Sequence, residues 1–434
     1  MAGMSADVSN GTIRVGVLGC GTVGGSLIQL IADEAPTIAA RTGLRLEVTK
    51  VAVRNLTAER SVSLPEGVMT RDAKALVNDP DIDVVVETIG GIEPARQLLL
   101  DALKSGKPVI TANKELVANC GLELFEVAES AGVDIMFEAA VAGAIPLMRV
   151  LRESLVGENI TRLMGIVNGT TNYILTKMTE DGQSYASALV DAQALGYAEA
   201  DPTADVEGHD AGAKAAIMAT VAFGARVVAG DVYQEGISRL TPADIEAARR
   251  MHHVIKLLAV AERVDGRVAV RVHPAMVPDQ HPLASVRDSF NAVFLEGEAV
   301  DDLMLYGRGA GGFPTASAML GDLITASRNK LRGTCDGLGA LSEVPIMAID
   351  ETSSAFYLSL EVSDRPGVLR DVAGVFGEHG VSIRSMEQEG RGDRALVVLI
   401  THLALEADMQ ATVRDLRDLD SVADVGALIR VVGG

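Results

Sequence analysis

Residues 13–34 constrain the fold more than any other stretch of the chain. Ile13-Arg14-Val15-Gly16-Val17-Leu18 is an apolar run of strand length. Gly19-Cys20-Gly21-Thr22-Val23-Gly24 follows at once, and an apolar helical pattern from Gly25 to Glu34 stops before Pro36. Strand, G-x-G-x-x-G turn and helix in that order read as a dinucleotide-binding unit. The first glycine permits the tight turn, the second lets a pyrophosphate approach the backbone, and the third lets helix pack on strand. The helix N-terminus then offers amides and a positive dipole end to phosphate. Gly19, Gly21, Thr22, Val23 and Gly24 are therefore candidate cofactor contacts.

The stretch that follows repeats the same logic. A strand is expected at Leu46–Val53. An acidic residue at its end would suit the ribose 2′-hydroxyl of NAD. The chain has Val53-Arg54-Asn55 instead. Arg54 suits a 2′-phosphate and tilts the expectation to NADP over NAD, with a plain surface arginine as the competing reading. Further strands are expected at Asp83–Glu87, Pro108–Thr111 and Val133–Phe137, with a helix at Glu93–Lys104. Strands alternating with helices imply a doubly wound parallel sheet whose ligands sit at the strands' C-terminal ends. Thr88 and Gly90 of Thr88-Ile89-Gly90-Gly91, and Lys114 of Thr111-Ala112-Asn113-Lys114, fall there.

Composition narrows the class. A chain of 434 residues suggests two or three domains, and 48% apolar residues supply their cores easily. A net charge of −21 argues against nucleic acid or an anionic membrane as partner. Aromatic residues at 3%, with no Trp, disfavour base stacking. Cys20, Cys120 and Cys335 lie far apart without metal-ligand spacing, which fits a reducing cytoplasm. The first ten residues lack a basic, then apolar, leader pattern, and no long uncharged apolar run suggests a membrane span. His209, His252, His253 and His273 show no ligand spacing.

A second concentration of chemistry lies at Ala192–Lys214, AQALGYAEADPTADVEGHDAGAK. An acidic loop with Glu199, Asp201, Asp205 and Glu207 feeds an Ala-rich helix whose early charges are Asp210 and Lys214. Four residues apart, these two share a helix face. A lysine held by a carboxylate can bind an anion or move a proton; an ordinary solvated ion pair is the plainer alternative. The lack of other charge in AGAKAAIMATVAFGA favours burial over that alternative. Upstream, a strand at Ile160–Val167 leads into Asn168-Gly169-Thr170-Thr171-Asn172, a polar opening to a helix. It could hold a carboxylate or simply cap the helix.

Ala192, Gly196-Tyr197, Asp201-Pro202, Asp205-Val206, Gly208, Asp210 and Lys214 resemble the signature of homoserine dehydrogenases, A-x3-G-Y-x3-DP-x2-D-V-x-G-x-D-x3-K. That resemblance implies interconversion of L-aspartate 4-semialdehyde and L-homoserine with NAD(P)H, a step towards threonine, methionine and isoleucine. It implies that Lys214 moves the proton with Asp210 orienting it, and that Glu199 and Asp205 hold the substrate ammonium. Tyr197, Gly169 and Thr170 would line the substrate, and Lys114 would touch both substrate and nicotinamide. Gly309, within Gly307-Arg308-Gly309-Ala310-Gly311-Gly312-Phe313-Pro314-Thr315, matches a family segment beside the nicotinamide. The resemblance also implies a monovalent cation such as Na+, held by the Glu138 carboxylate and the carbonyls of Val141, Gly143 and Ile145. From the residues alone, that stretch is only a glycine-bearing bend. Another semialdehyde or amino-acid dehydrogenase, or an amino-acid sensor that retains a nucleotide fold, are the competing functions.

The last third reads strand (Ala355–Val362), helix to His379, strand (Val381–Gln388), strand (Ala395–Thr401), helix (Ala404–Arg417), strand (Val422–Val432). This is a ferredoxin-like βαββαβ unit. Its Asp364-Arg365-Pro366-Gly367-Val368-Leu369 loop resembles that of ACT domains, which bind amino acids. Asp364, Gly367 and Val368 are the candidate effector contacts and threonine the expected effector, against the alternative of a passive dimerisation module. The expected organisation is a Rossmann-like domain at 1–140 completed by a returning helix at 310–332, an α+β substrate and dimerisation domain at 141–309, a linker at 333–352 and the ACT domain at 353–434. A homodimer or homotetramer is expected.

Overall fold

The structure is a computed structural model and describes residues 11–433. The leader-free reading of the first ten residues lies outside them. Contacts divide the chain into two compact units.

One unit comprises the chain up to Glu158, Ala216–Gly230 and Gly307–Glu343. Its sheet has six parallel strands in the spatial order Met69–Thr70, Leu44–Ala52, Gly11–Leu18, Val84–Glu87, Val109–Thr111, Ile135–Met136. This is the doubly wound order of dinucleotide folds. Side chains alternate between the sheet's faces, and each face has its own core. Ile13, Val15, Val17, Val84, Val86 and Ile110 pack on one side with Leu27, Ile31, Met319 and Leu323. Leu18, Val85 and Val109 pack on the other with Leu99, Leu103, Leu116 and Leu124. Burial on both faces is why these strands read as unbroken apolar runs. Met319 and Leu323 belong to the returning helix Gly312–Arg332, which packs along the helix Thr22–Asp33.

Local corrections are physical. The first helix starts at Thr22, inside the glycine turn, and Pro36 does not end helical structure but heads a second helix, Ala35–Thr42. Proline lacks an amide that a helix's first turn does not use. The expected strand Val133–Phe137 shrinks to Ile135–Met136, because Glu138–Ala140 turns as a 3-10 helix. The strand Met69–Thr70 and helix Ala73–Asn78 were not anticipated, being too short to show a period.

The other unit comprises Asn159–Ala215, Asp231–Tyr306 and the chain from Val344 onward. Its sheet runs, in spatial order, Asp301–Arg308, Phe290–Gly297, Ile160–Ile166, His253–Val264, Arg267–Pro278, Val422–Val431, Ser353–Ser363, Arg394–Thr401, Ile383–Arg391. The last four strands, with the helices Val368–Glu378 and Glu406–Arg417, form the βαββαβ unit around Phe356, Leu358, Leu360, Val372, Phe376, Leu399 and Leu416.

The sequence boundaries divide the chain otherwise than its contacts do. The βαββαβ unit is not a detached last domain. Ala275 and Met276 pair in parallel with Arg430 and Val431, joining its sheet to the middle one. Residues 141–158 and 216–230 group with the nucleotide unit, and the stretch 333–352 is shared between the units at Glu343/Val344. Within it, Ile346 bridges Val268 and Met347 donates to the Val268 carbonyl. Among the described residues, no helix is long and apolar enough to cross a membrane.

Candidate functional site

In the nucleotide unit, the three glycines of the first turn do different work. Gly19 has φ +100°, a left-handed conformation that side chains resist. A Cβ on Gly24 would stand 2.5 Å from the Gly19 carbonyl oxygen, so helix and strand could not meet as closely. A Cβ on Gly21 would meet nothing within 4 Å. Gly21 precedes a helix whose first turn has no side-chain cap, leaving the Thr22 and Val23 amides to a ligand. A loop that needs glycine at Gly21 for no internal reason fits a pyrophosphate.

The next crevice loop is held by a carboxylate absent from the sequence reading. Glu87 ends the strand Val84–Glu87 fully buried. One of its oxygens accepts the Ile89 and Gly90 amides (2.7 and 3.0 Å), and the other accepts the Thr111 hydroxyl at 2.5 Å. Thr88 donates to the carbonyls of Leu18 and Gly19, tying this loop to the glycine turn. Asn113 caps the helix Lys114–Ala131 through the Leu116 amide and donates to the Gly91 carbonyl. Lys114 is thus the first residue of that helix and is exposed, as is Arg54 beyond the strand Leu44–Ala52. The signal for Glu87 was present: an acidic residue closing an all-valine strand.

The Glu138 carboxylate is held by backbone amides. Its two oxygens accept the Met148 and Arg149 amides, each at 2.8 Å, and its own amide donates to Asp322. Burial, and then the Asp322 carboxylate, push the Glu138 carboxyl up to about 7. Burial pushes Asp322 up to about 6. Among the described residues, no three His, Cys, Asp or Glu side chains group as a metal cluster. The candidate cation ligands, the Glu138 carboxylate and the carbonyls of Val141, Gly143 and Ile145, are hard oxygens suited to Na+. Gly143 is required there: φ is +58°, and a Cβ would lie 2.4 Å from the carbonyl oxygen of Gly309.

In the other unit, four side chains meet at the end of the strand Ile160–Ile166. Lys214 Nζ donates to Asp210 Oδ2 and to the Val167 carbonyl, both at 2.7 Å, and both charged residues are buried. The i,i+4 pair is therefore not a solvated one. Asn168, the N-cap of the helix Gly169–Glu180, donates from Nδ2 to Asp205 Oδ1 at 2.7 Å and to Asp210 Oδ2 at 2.8 Å. Thr170 does not cap that helix. Its hydroxyl donates to the Tyr197 carbonyl at 2.7 Å, which fixes the Gly196-Tyr197 turn beside it. The Tyr197 ring lies 5.1 Å from that of Tyr173. Gly169 packs under Ser289, whose carbonyl oxygen a Cβ would approach to 2.8 Å. Glu199 stands exposed, its carbonyl accepting from Gln193. Sequence patterning marks Asn168 as a cap or as part of a carboxylate-holding turn, and misses its bonds to Asp205 and Asp210. Those partners lie 37 and 42 residues away.

In the βαββαβ unit, Gly367 has φ +98° and opens the helix Val368–Glu378, whose first turn again has no side-chain cap. Val368 is buried beneath it, and the Asp364 amide donates to the Asp393 carbonyl.

Comparison with known proteins bears on all these parts. A family model described as "Homoserine dehydrogenase, NAD binding domain" matches residues 19–138. One described as "Homoserine dehydrogenase" matches 146–324, and the ACT domain model matches 356–421. A homoserine dehydrogenase of Corynebacterium glutamicum is 49% identical over 425 residues, which span 96% of this chain and 95% of that one. The crystal structure of a homoserine dehydrogenase from Thiobacillus denitrificans aligns with a TM-score of 0.92 at 40% identity, covering 97% of this chain and 98% of that one. A hyperthermophilic archaeal homoserine dehydrogenase in complex with NADPH aligns at 27% identity and a TM-score of 0.63, over 74% of this chain and 98% of its own.

Proposed function

The chain belongs to the homoserine dehydrogenase family, and from that premise we propose that it interconverts L-homoserine and L-aspartate 4-semialdehyde with NADP in preference to NAD. A bound nicotinamide supplies or accepts the hydride. The protein's own part is to hold the substrate and to manage the proton on the reacting oxygen. Lys214 gives that proton during reduction and takes it during oxidation. Asp210 fixes the lysine's direction and balances its charge. Asp205, with Glu199, receives the substrate ammonium, while Gly169, Thr170 and Tyr197 shape the pocket around it. Lys114, at a helix start, faces the substrate carboxylate or the reacting oxygen. The observation that carries this reading is the buried Asp210–Lys214 pair, at 2.7 Å on a helix otherwise free of charge. A buried ion pair is weak evidence for stability, and this one, on an otherwise uncharged helix and beside a second carboxylate, supports a chemical role.

Exposed Arg54 suits the 2′-phosphate of NADP, and the archaeal relative binds NADPH. The Glu138 carboxylate and the carbonyls of Val141, Gly143 and Ile145 would hold a monovalent cation such as Na+. The C-terminal domain binds threonine near Asp364, Gly367 and Val368 and lowers activity by coupling between sites. A cytoplasmic homodimer or homotetramer fits the free thiols of Cys20, Cys120 and Cys335 and the family's biosynthetic chemistry.

The deciding experiment follows nicotinamide absorbance with L-homoserine and each oxidised cofactor in turn. Turnover is expected with both and is greater with NADP. Arg54→Ala should weaken NADP more than NAD. Turnover of other hydroxy amino acids but not of homoserine would overturn the reading.

A further inference from the structure

Asn168 makes four hydrogen bonds from a buried side chain. Its Oδ1 accepts the Thr171 amide at 2.8 Å and the Thr171 hydroxyl at 3.0 Å. That leaves Nδ2, with two hydrogens, for the carboxylates of Asp205 and Asp210. The amide cannot be reversed, because its oxygen would then face two carboxylates and its nitrogen an amide hydrogen. One NH2 group therefore bridges the carboxylate proposed for the substrate ammonium and the carboxylate that holds Lys214. Asp205 and Asp210 contact it directly, and Lys214 contacts it through Asp210.

Two carboxylates repel unless something is held between them. Lys214 donates to Asp210 Oδ2 and to the Val167 carbonyl. Asn168 donates to both carboxylates, and it is anchored through the start of the helix Gly169–Glu180. We infer that Asn168 is a positioning residue of the reaction, setting Asp205 and Asp210 at one spacing so that ammonium binding and proton transfer share one geometry. The inference rests on the roles given above to Asp205, Asp210 and Lys214.

The chemistry of the side chain supplies a discriminating variant. Asn168→Asp keeps the cap, since aspartate caps a helix as well as asparagine. When ionised it has no hydrogen to give and adds a third negative charge. When protonated it regains one donor, and its neighbours favour that protonated form. The N168D protein should therefore fold with a melting temperature near that of the parent. Its kcat/KM for homoserine should fall at least about tenfold at alkaline pH, with both kcat and KM affected. The deficit relative to the parent should narrow as pH is lowered. A kcat/KM equal to the parent's at every pH overturns the inference. So does a deficit independent of pH that N168S, a capping residue with a single short donor, does not share. If N168D folds poorly, N168S alone carries the test, and the inference requires it to lose kcat/KM at unchanged melting temperature.

Failure of the functional reading is distinguishable, because it appears first as a parent protein inert towards homoserine. In that event, acetylation of Lys214 followed by mass spectrometry needs no turnover. N168D should slow it at least about threefold by holding the ammonium charged, and an unchanged rate overturns the inference.

Discussion

Lys214 and Lys256 are both buried in the same unit, and Lys214 donates to the Asp210 carboxylate whereas Lys256 donates to neutral acceptors. Lys256 donates to Asn172 Oδ1 and to the Val286 carbonyl, and burial, its largest influence, pushes it down to about 8. The folded state thus binds the proton less tightly than the unfolded chain. Stability should rise with pH between about 8 and the ordinary lysine value, and be lost as pH falls through 8. The effect is on the order of 3 kcal/mol. Lys256→Met should remove this slope. Unfolding by urea at pH 7.5 and at pH 10.5 measures it, and parallel behaviour of the two proteins would refute it. The glycine turn gives a second contrast. Gly21→Val should leave melting unchanged and abolish cofactor binding, since the space beside Gly21 is open. Gly24→Ala should lower the melting temperature, since its Cβ would press on the Gly19 carbonyl. Cofactor titration by nicotinamide fluorescence, beside thermal melts, separates the two. Which residues were legible follows from range. Asp210 and Lys214 lie one helical turn apart, so spacing alone pairs them. Asn168 and Glu87 act through tertiary contacts or through amides, which leave no spacing in the sequence.

At the scale of elements, apolar runs long enough to cross a sheet were readable, including the four long strands and two helices of the βαββαβ unit to within a few residues, whereas Ala404–Leu405, read as the start of a helix, is a short strand paired with Ser353 and Ser354. Two-residue strands such as Met69–Thr70 carry no period, and the bend after Glu138 is set by amide capping rather than by pattern. Nor did the sequence announce how the middle sheet meets the C-terminal one. Arg430, on the strand Val422–Val431, lies beside that junction and is almost wholly buried. Its guanidinium takes Glu406 in two bonds of 2.9 and 2.7 Å, and Glu235 at 2.9 Å. Glu235 is followed by Gly236, which packs on Val206 and Glu207. Arg430→Ala should cost roughly 3–5 kcal/mol, because it strands the Glu406 carboxylate in the interior. Replacing Arg430 and Glu406 together by methionine should cost less. Denaturant midpoints of the two proteins test this, and a larger loss in the double variant would show that the pair stabilises the junction outright.

For the whole molecule, the continuous sheet changes what truncation can mean. Removing residues 353–434 would uncover the edge of the strand Arg267–Pro278 where Ala275 and Met276 now pair. The shortened protein is expected to aggregate or to melt well below the parent, as size-exclusion chromatography and calorimetry would reveal. A soluble, cooperative fragment would mean that the junction contributes little. The proposed threonine control is therefore best tested on the intact chain, by calorimetric titration of threonine into the parent and an Asp364→Ala variant. The proposed reaction turns on Lys214. The measurement that addresses it most directly is steady-state oxidation of L-homoserine by the parent and by Lys214→Ala, with cofactor binding verified in both. Loss of the proton-transferring group should lower kcat by about 100- to 10,000-fold while cofactor affinity holds. A kcat near the parent's would contradict it and remove the proton from Lys214.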